Sequence, residues 1–128
     1  MTPDAMIDQL LSVPYAPGQG AMEGADCWGV VELWYRHVLG IEVSDRANFP
    51  AGNDGLQAGF DAAKVWHPID AAKDHCLVIL RFRHLNAGHV GIFWQGSVLH
   101  SSQGHGCVYQ PIDHRLIRPR ITQFLEHR

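Results

Sequence analysis

Cys27 stands in the run Asp26-Cys27-Trp28-Gly29-Val30, where an amphipathic helix begins. A helix start carries a partial positive charge and unpaired backbone N–H groups. Both favour a thiolate over a thiol, and the thiolate is the reactive form. Position alone leaves Cys27 open to three readings: a buried filler, a metal ligand or a nucleophile. A nucleophile needs a base, usually histidine, and a third group to orient that base. Nine histidines are present, so number alone selects none.

Hairpin geometry narrows the choice. Gln95-Gly96 lies between His-Val-Gly-Ile-Phe-Trp and Ser-Val-Leu-His-Ser-Ser, two runs of strand character. A two-residue turn there opposes Trp94 to Ser97, Phe93 to Val98, Gly91 to His100 and His89 to Ser102. Strand side chains alternate, so His89, Gly91 and Phe93 share a face with Val98, His100 and Ser102. The two imidazoles become diagonal neighbours with Gly91 leaving room between them. Val90, Ile92, Trp94 and Leu99 take the opposite, apolar face. Cys27, His89 and His100 could in principle also form a zinc site. No His-Glu-x-x-His run or closely spaced ligand pair supports that, so no metal and no cofactor is expected.

The remaining elements position these residues. Thr2-Pro3-Asp4 reads as a helix start, with Met6, Ile7, Leu10 and Leu11 spaced four apart up to about Ser12. Residues 14–25, rich in glycine and proline, read as a loop. Asp26 is a good N-cap for a helix from Cys27 to Leu39. Val30, Val31, Trp34 and Val38 lie on its inner face, Glu32 and Arg36 pair on the other, and Gly40 stops it. Within the middle segment, residues 44–66, Leu56, Phe60, Ala63 and Val65 suggest a weaker helix, ended by Pro68. From Cys76 the period changes to that of strands: Cys-Leu-Val-Ile-Leu-Arg-Phe-Arg, the two hairpin runs, then Cys-Val-Tyr-Gln-Pro-Ile. The C-terminal Arg-Ile-Thr-Gln-Phe-Leu-Glu-His is ambiguous. Helices first and an antiparallel sheet second predict an α+β fold. The 128 residues suit one domain, 1–128.

The other histidines are assigned to loops and surface: His37 near a helix end, His67, His75 and His84 in or beside loops, His105 between glycines, and His114 and His127 on the surface. Cys76 and Cys107 read as packing residues. The net charge of −3 and the scatter of Lys and Arg exclude a binder driven by neutralising phosphates. The cluster Arg115, Arg118 and Arg120 reads as a solvated stretch. No apolar run approaches the ~20 residues that cross a bilayer, so no membrane insertion is expected. The acidic N-terminus lacks the basic and apolar regions of a secretory signal. Three widely spaced cysteines suit synthesis in a reducing cytosol.

Asp-Cys-Trp-Gly-Val at 26–30, Gly-His-Val-Gly-Ile-Phe at 88–93 and Val-Leu-His-Ser-Ser at 98–102 resemble the NlpC-type cell-wall cysteine peptidases, small papain-like α+β enzymes. The resemblance runs from about Tyr15 to Gln110, with motifs in the family's order. It implies that Cys27 is the nucleophile, His89 its base and His100 the residue that orients His89. It implies that Tyr15, Asp26 and Trp28 shape the oxyanion and substrate site. The implied substrate is the peptidoglycan stem peptide, cut between D-γ-glutamyl and the diamino acid. Two family features differ: Ala16-Pro17-Gly18 replaces Trp-Gly-Gly after the tyrosine, and Asp74-His75-Cys76 replaces Pro-Gly-Asp before the first strand. The Asp-Cys-Trp-Gly form is similar to compact versions encoded by tailed phages, prophages and gene-transfer particles. With no recognisable signal or wall-binding domain, it implies incorporation in a virion or phage-like tail and tail-tip proteins as partners. The alternative is a structural tail-assembly protein with the same fold and little or no catalysis.

Overall fold

The computed structural model describes residues 1–43, 64–82 and 87–128. Two short helices precede a six-stranded antiparallel sheet, as the α+β expectation requires. Helix α1 (Pro3–Leu10) starts where Thr2 Oγ1 accepts from Ala5 N–H, and Met6, Ile7 and Leu10 are its buried stripe. It stops two residues before Ser12, whose N–H and hydroxyl both turn back to the Gln9 carbonyl. Strands β1 (Gly20–Ala21) and β2 (Gly24–Ala25) form a small hairpin. It leads into α2 (Cys27–Trp34), which continues as a π-helical turn, Tyr35–Leu39. Gly40 closes that turn with a positive φ of 67°, a backbone conformation glycine adopts without strain.

Helix α2 has no solvent face, because every residue from Trp28 to Trp34 is buried. The expected placement of Glu32 on an outer face is corrected accordingly, although its charge still acts on Arg36. Glu32 lies inside, and Arg36, carried round by the wider π turn, forks onto Glu42 at 2.8–3.2 Å.

Strands β3 (Trp66–Ile69), β4 (Leu77–Phe82), β5 (Ala87–Trp94), β6 (Ser97–Ser102), β7 (Gly106–Pro111) and β8 (Ile121–His127) lie in the order β3-β8-β4-β5-β6-β7. Most of the helix suggested within 44–66 falls outside the described residues. Trp66, just beyond Val65, is already strand, and Pro68 sits within β3 instead of ending a helix. Proline fits there because β3 is an edge strand and need not donate on its open side. The ambiguous C-terminal run is β8, inserted between β3 and β4 with a bulge opposite Ile79 and Leu80.

The sheet is apolar on both faces. Leu77, Ile79, Val90, Ile92 and Leu99 pack with α1 and α2 in the main core. Val78, Leu80 and Val98 point the other way and are covered by Ile117 from the 112–120 connection. Burying one such side chain contributes roughly 2 kcal/mol. The histidine face of the hairpin therefore has its own small core. Among the described residues no helix is long and apolar enough to cross a membrane.

Candidate active site

The nucleophile candidate is held by its neighbour. Asp26 caps α2, its Oδ1 accepting from Gly29 N–H at 2.7 Å. Its Oδ2 accepts from Gly18 N–H at 2.9 Å, pinning the preceding loop to the helix start. The Asp26 N–H donates to the Gln19 carbonyl at 3.0 Å. Gly29 is required by this closeness: a Cβ there would stand 2.2 Å from the Gln19 oxygen. Cys27 occupies the first helical position, partly buried against the main core. Tyr15, in the same loop, is partly exposed. Burial raises its phenol above the usual range, and electrostatic interaction with Cys27 and then Asp26 adds to the shift. Tyr15 is thus within electrostatic reach of both. Trp28 is 2% exposed and stands edge-on to Trp66, so its contact is with the core.

The histidines meet as the hairpin geometry predicts. The β5–β6 ladder pairs Ile92 with Leu99, Phe93 with Val98 and Trp94 with Ser97. His89 Nε2 lies 2.9 Å from His100 Nδ1, with the rings nearly perpendicular. Gly91 leaves the expected space, since a Cβ there would be 3.1 Å from His100 Cβ and 2.9 Å from the Leu99 oxygen. Both rings are 5% exposed. Burial, with the His100 ring adding to it, lowers the His89 pKa to about 3. Burial also lowers that of His100, opposed by its bond to Gln110 and aided by the charge of His105. Both rings are therefore neutral at ordinary pH, the form in which imidazole can take a proton.

Helix α2 packs directly on β5 and β6. A further tie sets its start: Ser101 Oγ on β6 donates to the Ala25 carbonyl at 3.1 Å. The strand that carries His100 is thereby anchored two residues before Cys27.

Three participants escape a reading of the motifs. Gln110 on β7 places its Oε1 2.8 Å from His100 Nε2. Phe82 on β4 stands edge-on to the His89 ring at 5.6 Å. Ser101 makes the tie just described. The signal for Gln110 was the β6–β7 register, in which Val98 opposes Gln110 and His100 opposes Val108. That makes Gln110 a same-face diagonal neighbour of His100.

Other expectations divide. Cys76 and Cys107 are buried, and burial raises both thiols, Cys107 to about 12. His127 is corrected: it lies in β8, half-buried, with its ring against Trp66 and Tyr35. His67 is in strand β3. His75 lies in a connection as expected, but it is built in: Nδ1 accepts from Trp34 Nε1 at 3.1 Å and its carbonyl from Tyr35 hydroxyl. His84 is outside the described residues. Arg118 pairs with Asp113 at the surface, while Arg120 lies over the Phe82 ring. Among the described residues no group of three or more His, Cys, Asp or Glu is arranged to hold a metal ion.

Comparison with known proteins bears on the fold. The crystal structure of the NlpC/p60 domain of peptidoglycan hydrolase SagA superposes with a TM-score of 0.64 at 18% identity, over 96% of this chain and 94% of that one. A lipoprotein-like NLP/P60 family protein from Staphylococcus aureus subsp. aureus Mu50 gives 0.65 at 18% identity, over 97% of this chain. NlpC1 from Trichomonas vaginalis gives 0.64 at 19% identity, over 94% of this chain. The chain spans only 39% and 41% of the last two. At these identities the likeness establishes the fold. Among curated protein sequences none matches. The sequence profile of the NlpC/P60 family matches residues 12–126, nearly the whole chain, and the chain belongs to this family.

Proposed function

We propose that the chain hydrolyses the peptide stems of peptidoglycan, with Cys27 as nucleophile, His89 as base and His100 as the group that orients His89. The observation that carries the reading is the buried His89–His100 ring pair, on strands against which the Cys27 helix packs. Family membership and a similar fold in a protein named as a peptidoglycan hydrolase support the substrate.

The chemistry follows from the protonation states. Neutral His89 accepts the Cys27 thiol proton as sulfur attacks the scissile carbonyl carbon. Charge develops on the carbonyl oxygen, and in this reading the Cys27 N–H at the helix start donates to it. The tetrahedral species collapses, the C–N bond breaks, and His89 returns the proton to the leaving amine. Water then attacks the thioester, giving a proton to His89. Collapse releases the acid, and the thiolate recovers that proton. Tyr15 borders this site, and Asp26 supports it from beneath.

In the finer reading the bond is the one between D-γ-glutamyl and the diamino acid, and a phage-like tail carries the domain to the wall. Resemblance of the Asp-Cys-Trp-Gly form to compact phage and gene-transfer versions supports carriage. The test is digestion of peptidoglycan fragments followed by mass spectrometry, with Cys27→Ala and a chelator arm. A stem cut that vanishes in Cys27→Ala and persists with chelator is expected. A cut abolished by chelator would replace the cysteine mechanism with a metal one. No cut by the folded protein would favour a non-catalytic tail-assembly role.

A further inference from the structure

We propose that Gln110 is a positioning residue that sets the proton pattern of both histidines, leaving the free lone pair of His89 on Nδ1. The inference rests on the catalytic reading of Cys27 and His89 and deepens it. Three side chains from three adjacent strands form one chain of contacts: Gln110 Oε1 to His100 Nε2 at 2.8 Å, and His100 Nδ1 to His89 Nε2 at 2.9 Å.

An amide oxygen has no proton to give, so His100 Nε2 must carry one and donate. A neutral imidazole holds a single N–H, so His100 Nδ1 is then an acceptor. His89 Nε2 must therefore donate to it. By the same count His89 Nδ1 is left unprotonated. That nitrogen is the only one on His89 not engaged by His100, and so the one available to a thiol. A single acceptor two strands away thus decides which end of the base is basic.

Burial makes this a decision and not a preference. Both rings are 5% exposed, so water cannot freely resupply a missing partner. The charged form that would donate from both nitrogens is disfavoured there. Gln110 itself is held by β6–β7 pairing, opposite Val98, one residue before Pro111. His105, in the β6–β7 turn, acts electrostatically on His100, and Arg120 lies over the Phe82 ring. Phe82 covers the other side of His89 with an apolar ring. Only Gln110 offers His100 Nε2 an acceptor among the contacts of the described residues.

The opposite arrangement is chemically distinct. If position 110 donates or is silent, His100 can hold its proton on Nδ1 and give it to His89 Nε2. His89 then carries its proton on Nδ1 and presents an N–H where a base is needed. Wrong-tautomer losses can be large, and a partner one ring removed is expected to cost on the order of 10- to 100-fold in kcat.

The experiment uses the full-length chain with 15N-labelled histidine. Ring nitrogen shifts and one-bond couplings assign the tautomers of His89 and His100 in wild type, Gln110→Leu and Gln110→Glu, beside turnover of peptidoglycan fragments. Wild type should show a protonated Nε2 on both rings. Gln110→Leu should move protons toward Nδ1 and lower kcat 10- to 100-fold with KM within about twofold. Gln110→Glu restores an acceptor, so it should keep the wild-type tautomers and recover most of kcat. Its charge should also move the acid limb of the pH profile upward, because it stabilises the imidazolium and so raises the pKa of a base that must be neutral before attack. A protonated Nδ1 on wild-type His89, or tautomers that Gln110→Leu leaves unchanged, would overturn the proposal. A wild-type chain with the stated tautomers but no turnover would uphold the role of Gln110 and sink the peptidase reading.

Discussion

Asp26 reaches back across eight residues to Gly18, its Oδ2 2.9 Å from the Gly18 N–H, while its Oδ1 caps the helix that Cys27 begins. One buried carboxylate therefore fixes both the helix start and the loop that carries Tyr15. Asp26→Ala removes both acceptors and is expected to cost about 2 kcal/mol. Asp26→Asn keeps one carbonyl oxygen and should cost about half that. Denaturant melts of the two variants would check the order. Equal losses would mean that the bond Asn retains contributes nothing.

Gly91 separates the two histidine strands where no side chain fits. A Cβ there would lie 2.6 Å from Val98 Cγ1 and 2.9 Å from the Leu99 oxygen. The second of these is backbone and cannot swing away. Gly91→Ala should destabilise by about 2 kcal/mol and displace His100 from His89. Thermal melts report the first effect and loss of the wild-type histidine tautomers the second. A variant as stable as wild type would show that the strands part more easily than their pairing implies.

Thiol chemistry should single out Cys27. Cys76 and Cys107 are buried and their thiols are raised by burial, whereas Cys27 is partly exposed at a helix start. Iodoacetamide on the folded protein should modify Cys27 first, and peptide mapping would locate the adduct. Fast labelling of Cys107 would contradict this order.

Acid should unfold the protein through the histidine pair. The folded His89 pKa is lowered to about 3 from 6.5. Between these values the unfolded chain binds a proton that the folded chain refuses. Stability contributed by neutral His89 is therefore present above about pH 6.5 and lost as pH falls toward 3. The slope approaches 1.4 kcal/mol per pH unit for each such group, about the value set by one proton. His100 shifts in the same direction. Denaturation midpoints from pH 7 to 4 should fall more steeply for wild type than for His89→Gln. Parallel curves would place the acid sensitivity elsewhere.

The sequence alone determined what depends on near neighbours. The Asp26 cap, the first turn holding Cys27 and the two-residue turn at Gln95-Gly96 follow from local backbone chemistry. The facing of His89 and His100 follows from that turn, because side-chain alternation propagates along a strand. Where contacts are distant in the chain, local pattern was silent or misled. Glu32 has the spacing of a surface partner for Arg36, but α2 is enclosed all round and buries it. His127 looked terminal and solvated, yet β8 is inserted between β3 and β4, which sets its ring on Trp66. Pro68 punctuates the sequence like a helix end, but an edge strand accepts it. Tertiary structure alone decided that Gln110 completes the histidine chain, that Phe82 covers His89 and that Ser101 ties the strand to Ala25. Each joins elements whose relative placement comes from the packing of the whole sheet, and no periodicity within one segment encodes it.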